Sequence, residues 1–460
     1  MTARATGPAT KYARLAGHLR SELAAGAYRP GQALPSIRQL AAEWGCSRNT
    51  AIRALAELER EHLVYAKPKS GYYAMPQPAG GRESSESRID LASAAPDERY
   101  MPYRDFQHCL NQAIDRYRHE LFDYTDPQGL LPLRQALAES LRDRQLFVSP
   151  DRIFIVSGSQ QALHLLAGLT AAGAMGPDGL LAEQPTYSGM LRAAAAWRLR
   201  AQGVRRTFAG IDEAELERHM RSGRFGAFYT TPRLSNPLGA SYTKRQKLTL
   251  LRLARKYGVY VIEDDYLADL ETDSKSDPLF GMDDADRTIY ISSFSKSMLP
   301  GLRLAAVVVP PALAEAFRKA KYAADQSTPV LSQGALEIYL RSGMHAHHTA
   351  RMRRMYAERM AVLREACAAE LPDAAAIDVP DAGLFAGLRL PVGMDARLAA
   401  ERLRRDGVDT LPVIEHFLPD FPSEPLLRLS VIRADEPQIR LALARIGAAL
   451  RGRRPGRAQP

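Results

Sequence analysis

Cysteine is scarce in this chain. Cys46, Cys109 and Cys367 are the only three, scattered over 460 positions. An odd number at such spacing builds neither a disulfide framework nor a zinc site, so each reads as structural filler and no metal is expected. Long apolar runs are missing too. No stretch of about 18 apolar residues occurs, so no membrane span is expected. The opening MTARATGPATKYAR has no apolar core of the kind a secretion signal carries. These absences together point to a reducing, cytoplasmic setting. Hydrophobic content of 46% and a charged fraction of 25% are ordinary for globular chains. At this length two to three domains are expected.

Acidic residues are in deficit, and the deficit is local. The net charge is +10. Residues 1–75 carry 11 Lys or Arg against 5 Asp or Glu, a net of +6, and the last ten, RGRRPGRAQP, add +4. Residues 76–450 are therefore neutral overall. A basic head on a neutral body is the electrostatic pattern of a nucleic-acid module joined to a larger domain. The basic tail reads as a solvated surface.

Within the head, Leu15, Leu19 and Leu23 share one helical face. The stretch AGAYRPGQALP interrupts that pattern. Ser36 can cap a short helix that Gly45 ends, and Ser47 can cap another in which Ile52, Leu55 and Leu58 recur. Helix, Gly-containing turn, helix is the helix-turn-helix arrangement. Its second helix projects Ser47, Arg48, Asn49 and Thr50 from the N-terminal end, which is the end that meets base edges. Arg48 suits guanine or phosphate, and Ser47 and Thr50 suit phosphate oxygens. Two short β runs follow around Lys67, Lys69 and Gly71 and read as a hairpin wing. LPSIRQLAAEWGCSRNTAIRALAELEREHLVYAKPKSGYYA closely resembles the winged helix-turn-helix of GntR-family regulators. The resemblance implies contacts to double-stranded DNA by Arg38, Ser47, Arg48, Thr50 and the wing of Lys69, Ser70 and Gly71.

Residues 76–88, PQPAGGRESSESR, read as a flexible linker. From 89 to 450, strand-like runs alternate with helical stretches such as 160–172 and 244–257. The strand candidates are RIFIVSG, DGLLAEQ, FGAFYTTP, VYVIEDDY, RTIYISSF and LRLAAVVV. Such alternation predicts an α/β sheet with helices on both faces, and ligands collect at the strand ends of such sheets. Lys296 stands among serines in SSFSKSMLPGLR. A lysine that forms a Schiff base needs an aldehyde cofactor, and pyridoxal 5'-phosphate (PLP) needs further parts. Ser157, Gly158, Ser159 and Gln160 open a helix whose amides suit a phosphate, and Ser293, Ser295 and Arg303 can complete that cup. Asp264 can hold the pyridinium proton. Asn236 and Tyr266 can donate to the phenolic oxygen, and Tyr187 can lie against the ring.

The ordered set YTDPQGLLPLR, VSGSQQAL, EQPTYSG, TTPRLSNPLG, VIEDDY, SSFSKSMLPGLR and LLRLS resembles fold-type I PLP enzymes of the aspartate aminotransferase superfamily. The resemblance implies that Lys296 carries the cofactor, that Asp264 meets its ring nitrogen and that Arg303 meets its phosphate. It also implies that Tyr124 reaches a neighbour's phosphate across a homodimer interface and that Arg428 holds a ligand carboxylate. The segment RLS before Asn236, and Phe385 in AGLFAGL, depart from the pattern and bear on the ligand's identity. Head and body together resemble MocR-type regulators end to end. That implies a PLP-dependent DNA-binding regulator that senses an amino acid or amine through an external aldimine. Two alternatives are an active aminotransferase with an accessory head, and a regulator that senses PLP itself.

Overall fold

Capping serines start two of the three helices in the head. The computed structural model describes residues 11–60, 63–67, 70–75, 88–273 and 276–451. Helices α1 (Lys11–Ala24), α2 (Ile37–Glu43) and α3 (Arg48–Arg60) precede a ribbon of β1 (Val64–Lys67) and β2 (Gly71–Ala74). Ser36 accepts from the Gln39 N–H while Gln39 Oε1 accepts from the Ser36 N–H at 2.8 Å, a reciprocal cap on α2. Gly45 takes a φ of 53° and turns the chain out of that helix. Ser47 Oγ accepts from the Thr50 N–H at 3.1 Å at the start of α3.

Leu15, Leu19, Leu23, Leu40, Leu55 and Leu58 form the buried centre of the head. One expectation is corrected here: Ile52 is 42% exposed. The buried stripe of α3 runs Ala51, Ala54, Leu55, Leu58, and Ile52 stands one residue, about 100°, away from it. The alanines carry the packing that the larger apolar residue suggested. In the ribbon Lys67 faces Gly71 across the turn, and Leu34 donates to the Tyr72 carbonyl at 2.8 Å, adding a third short run beside it.

The chain divides into two compact units, Met1–Glu86 and Ser87–Pro460. The linker reading covers residues 76–87, outside the described residues, together with Arg88, which is described and pairs with Asp409 at 3.4 Å. Of the basic tail, residues 452–460 lie outside them as well. Directly after Arg88 comes the short strand β3 (Ile89–Asp90).

Eight strands make the main sheet of the second unit. In chain order they are β4 (Ile153–Val156), β5 (Gly179–Gln184), β6 (Arg200–Thr207), β7 (Gly210–Ile211), β8 (Phe225–Thr230), β9 (Tyr260–Asp264), β10 (Thr288–Ser293) and β11 (Ala305–Val308). In space they run β4-β11-β10-β9-β8-β5-β6-β7, with β10, β9, β8, β5 and β6 parallel and β11 antiparallel to both neighbours. Alternate residues serve opposite faces. Phe154, Tyr229, Ile262 and Ile291 pack with Leu163 and Leu166 of the helix Ser159–Ala171. Ile155, Tyr290 and Ala306 pack with Leu133 and Leu137 on the other side. Both faces are covered, which is why these strands read as continuous apolar runs.

All six strand candidates are strands of this sheet. Strand β6, RAQGVRRT, was not among them because its three arginines mask it. Arg206 is buried there and pairs with Glu183 of β5 at 2.7 Å, and the hydroxyls of Thr230, Thr231 and Tyr242 also donate to that carboxylate. A buried ion pair is tolerable when its remaining lone pairs are satisfied in this way.

A second sheet comprises β12 (Ala376–Asp378), β13 (Phe385–Arg389), β15 (Leu411–Pro412) and β16 (Leu426–Ser430), in the order β12-β13-β16-β15; the intervening strand β14 (Val408–Asp409) pairs in parallel with β3. The helices Met344–Glu370 and Glu436–Leu450 cover it through Met352, Met360, Ile439 and Leu443. Among the described residues no helix is long and apolar enough to cross a membrane.

Candidate functional site

Strand ends of the main sheet converge on a cavity of about 650 Å³. β4 leads to Gly158 and Ser159, β5 to Tyr187, β8 to Thr231 and Asn236, and β9 ends on Asp264. Ser293 closes β10, and Ser295, Lys296 and Arg303 follow it. Arg428 of β16 enters from the second sheet, and His416 from the turn Ile414–His416 that follows β15.

Asp264 forms the floor. Its Oδ2 accepts from the Tyr229 hydroxyl at 2.9 Å, and its Oδ1 is buried without a partner. Burial pushes this carboxyl up to about 7, opposed by the Tyr229 hydrogen bond. A buried, unpaired carboxylate oxygen facing a cavity is a receptor for a cationic N–H. Lys296 Nζ donates to the Ala94 carbonyl at 2.5 Å. Burial brings its amine down to about 8, with Arg428 and Arg303 adding repulsion and Asp264 opposing them.

An anion cup lies at the head of the helix Ser159–Ala171. Gly158 has a φ of 81°, and a Cβ there would fall 2.5 Å from Arg303 Nη2. Only glycine leaves that space for the guanidinium. Arg303 Nη2 in turn lies 3.5 Å from the Ser157 carbonyl. The cup is narrower than the sequence suggested. The Ser157 N–H donates to Gln161 Oε1 at 2.7 Å and the Gly158 N–H to the Val156 carbonyl at 2.8 Å. The amides of Ser159 and Gln160 remain, ahead of any acceptor within the helix. Ser293 and Ser295 line the same space, the Ser295 N–H donating to Ser293 Oγ at 3.3 Å.

Two expected donors behave differently. Asn236 lines the cavity with its Oδ1 taken by Arg428 Nη1 at 3.1 Å, which leaves its amide N–H groups to donate. Tyr266 also lines the cavity, but its hydroxyl donates to the Leu234 carbonyl at 2.7 Å, and its ring stacks on Phe385. Tyr187 lines the cavity. Tyr124 is 84% exposed and lies outside the cavity of its own chain. The unpaired Asp264 oxygen, the glycine-made space beneath Arg303 and the weakened basicity of Lys296 together fit PLP.

Arg428 brings a second unpaired polar atom to the cavity, its Nε. It is 4% exposed and forms no salt bridge among the described residues, Asp90 attracting it only from longer range. Nη1 holds Asn236, Nη2 donates to the Ala92 carbonyl at 2.5 Å, and Nε is buried without a partner. The guanidinium lies 4.3 Å from the centre of the Phe385 ring. Phe385, the departure noted in the sequence, is thus its aromatic support. Burial draws Arg428 down to about 10.

Sequence reasoning missed Tyr229, Thr231, His416 and the carbonyls of Ala92 and Ala94. Tyr229 sits inside an apolar strand run, and only its register opposite β9 brings it to Asp264. The two carbonyls leave no trace in side-chain chemistry.

In the head, Arg38, Ser47, Arg48 and Asn49 are exposed on α2 and at the start of α3, and Thr50 is half-buried. Ser47 Oγ and Thr50 Oγ1 lie 2.8 Å apart and bond to one another. Lys67 Nζ sits 4.4 Å from the centre of the Tyr73 ring, and Ser70 Oγ is 2.5 Å from the Tyr73 hydroxyl. Gly71, at φ 110°, starts the return strand. Lys69 lies outside the described residues. Arg53 and Ile52 are exposed on α3 as well, and neither was among the expected DNA contacts.

Comparison with known proteins agrees with both units. The profile of the family "Aminotransferase class I and II" matches residues 89–446, and that of "Bacterial regulatory proteins, gntR family" matches residues 11–73. The chain is 40% identical to the HTH-type transcriptional regulator YcxD of Bacillus subtilis over 92% of this chain and 95% of that one. It is 29% identical to the probable rhizopine catabolism regulatory protein MocR of Rhizobium meliloti, over 88% of this chain and 87% of that one. Among solved structures it resembles LysN, the α-aminoadipate aminotransferase of Thermus thermophilus, with a TM-score of 0.73 and 28% identity over 82% of this chain and 95% of that one. The kynurenine aminotransferase of Pyrococcus horikoshii gives a TM-score of 0.73 at 25% identity, covering 86% and 98%. The chain belongs to the aminotransferase class I and II family, in its MocR-type branch of HTH transcriptional regulators, where a gntR-family DNA-binding head precedes a PLP-binding, aminotransferase-like body.

Proposed function

We propose that this regulator senses an amino acid or a related amine that carries a carboxylate, and that occupancy of the cavity sets its behaviour on DNA. One observation carries the reading. Arg428, buried, cationic and in no salt bridge among the described residues, shares a cavity with Lys296, whose amine is held near 8. A buried cation that holds only neutral acceptors is costly until a carboxylate arrives. A guanidinium receives a carboxylate through two parallel N–H groups, which an ammonium cannot do.

PLP, when bound, supplies an aldehyde that condenses reversibly with primary amines and a ring that draws electrons from the captured carbon. The protein's own residues do the rest. The amides of Ser159 and Gln160, the hydroxyls of Ser293 and Ser295, and Arg303 hold an anion at one end. Asp264 Oδ1 accepts a ring N–H at the other end, its partner oxygen steadied by Tyr229. Tyr187 walls the site and restricts water. Lys296 near 8 keeps a usable fraction of free amine at neutral pH, which also favours a second reading, residual amine transfer. Detecting a keto acid released from bound amino acid, without DNA, tests that reading.

The exposed Tyr124 supports a homodimer in which it completes the cup of the neighbouring chain. Sedimentation should then show a dimer at micromolar protein, and a PLP-loaded monomer would count against it. The sensing reading is tested by titrating operator DNA with cofactor-free protein, loaded protein, and loaded protein plus amino acids. A shift produced by amino acids supports it. A shift produced by PLP alone, with no further effect of any amino acid, assigns the signal to the cofactor instead.

A further inference from the structure

His416 is fixed from two directions. It ends the 3₁₀ turn Ile414–His416, opposite the chain that leaves β5. Its carbonyl accepts from the Thr186 N–H at 2.9 Å, its Nδ1 lies 2.7 Å from the Thr186 carbonyl, and the Leu418 N–H donates to Gln184 Oε1 at 2.7 Å. One bond to the ring and two to its stretch of backbone therefore hold His416 on the strand end. A carbonyl only accepts, so the network assigns the ring proton to Nδ1. Burial, with Arg428 and Arg192 adding to it, brings the ring down to about 4 against the pull of the Thr186 carbonyl. At neutral pH the ring is uncharged and Nε2 presents a lone pair.

His416 is 5% exposed and lines the cavity that holds Lys296 and Arg428. Its Nε2 is not among the closed-off atoms, and no protein group among the described residues bonds it. We propose that His416 Nε2 is a specificity-determining acceptor, and that the ligand is an amino acid whose side chain offers it an uncharged hydrogen-bond donor, a hydroxyl or an amide N–H. This rests on the amino-acid-sensing reading above. A carboxylate on the side chain would meet the lone pair. An ammonium there would meet the charges of Arg428 and Arg192. A purely apolar side chain would displace water and leave Nε2 unpaired. At the cavity mouth Arg397 and Glu415 are both exposed and opposite in charge, so the mouth imposes no net demand of its own.

The test uses the full-length, PLP-loaded protein and matched amino acids that differ by a hydroxyl for a methyl or a hydrogen. The pairs are serine with 2-aminobutyrate, homoserine with norvaline, and tyrosine with phenylalanine. Half-saturation is read from the absorbance of the bound cofactor. In at least one pair the hydroxyl member should half-saturate at a concentration lower by about tenfold or more, the cost of leaving a buried acceptor unpaired. His416→Phe should bring that ratio close to one. A ratio at or below one in every pair, with amino acids still shifting the absorbance, overturns the role of His416 and leaves the sensing reading standing. A preference that survives His416→Phe overturns it too. If no amino acid shifts the absorbance, both readings fall. The paired comparison on the unmodified protein stands whether or not the variant folds.

Discussion

Replacing Arg428 by methionine separates a structural arginine from a receptor. Burial lowers Arg428 from the ordinary arginine range to about 10. At about 1.4 kcal/mol for each pH unit, the cation costs the cofactor-free fold about 3 kcal/mol. The sign follows from the depressed value. The unfolded chain keeps this proton more tightly, so the penalty is complete below pH 10 and fades above it. Methionine removes the penalty and keeps much of the volume. It also removes two hydrogen bonds to neutral acceptors, Asn236 Oδ1 and the Ala92 carbonyl, worth about 1 kcal/mol each. The contact with Phe385 is worth about 1 kcal/mol more. The two sides nearly cancel, so the urea midpoint of cofactor-free protein should stay within about 1 kcal/mol of the parent. Losing one partner of a structural buried ion pair would cost about 3–5 kcal/mol. The ligand side behaves differently. The loss of charge-assisted hydrogen bonds should weaken amino-acid titrations of the cofactor absorbance by roughly 10- to 100-fold. Destabilisation by about 3 kcal/mol or more, together with an unchanged titration, would refute the reasoning.

Asp264 titrates near 7 in the fold and near the ordinary carboxyl value of about 4 in the unfolded chain, so its contribution to cofactor-free stability falls as pH rises between them. Asp264→Asn should flatten that slope in urea titrations from pH 4 to 7, with Glu263, also raised to about 7, keeping part of it. Gly158→Ala places a Cβ 2.5 Å from Arg303 Nη2 on a backbone at φ 81°, and PLP affinity measured by dialysis should drop by at least about tenfold while the protein stays folded. In the head, Arg48→Ala should cost about 1–3 kcal/mol on the specific operator if it pairs with a base. Lys67→Ala should weaken all sequences alike and reduce the slope of log affinity against log salt by about one. Gel-shift titrations at several salt concentrations check both.

Much of the architecture was legible because the sheet is buried on both faces. Six of its strands are mostly apolar runs, and β4, β9 and β10 lead directly to Gly158, Asp264 and Ser293, so those runs and their chemistry announced one another. Strand β6 escaped because Arg200, Arg205 and Arg206 outnumber its apolar residues, and only a partner on β5 makes Arg206 acceptable inside. The second sheet contributed only LLRLS and Phe385 of AGLFAGL to the sequence reading, since its remaining strands are short. The cavity residues nearest the cofactor lie in fixed order along the chain and could be read singly. His416 and Tyr229 become functional candidates only through long-range packing, which no local spacing records. Ile52 misled for the opposite reason, since a regular local spacing hid a stripe built from alanines.

The carbonyls of Ala92 and Ala94 give the cavity a mechanical meaning. They belong to the first few residues of the body, a short run of chain beyond the last strand of the head, which ends at Ala74. The first residues of the body therefore lie at the ligand pocket. Beside the pairing of β3 with β14, Arg428 Nη2 and Lys296 Nζ hold these carbonyls, and each is also a group that an incoming ligand or cofactor would claim. An occupant of the pocket and this stretch of chain would compete for the same two hydrogen-bond donors.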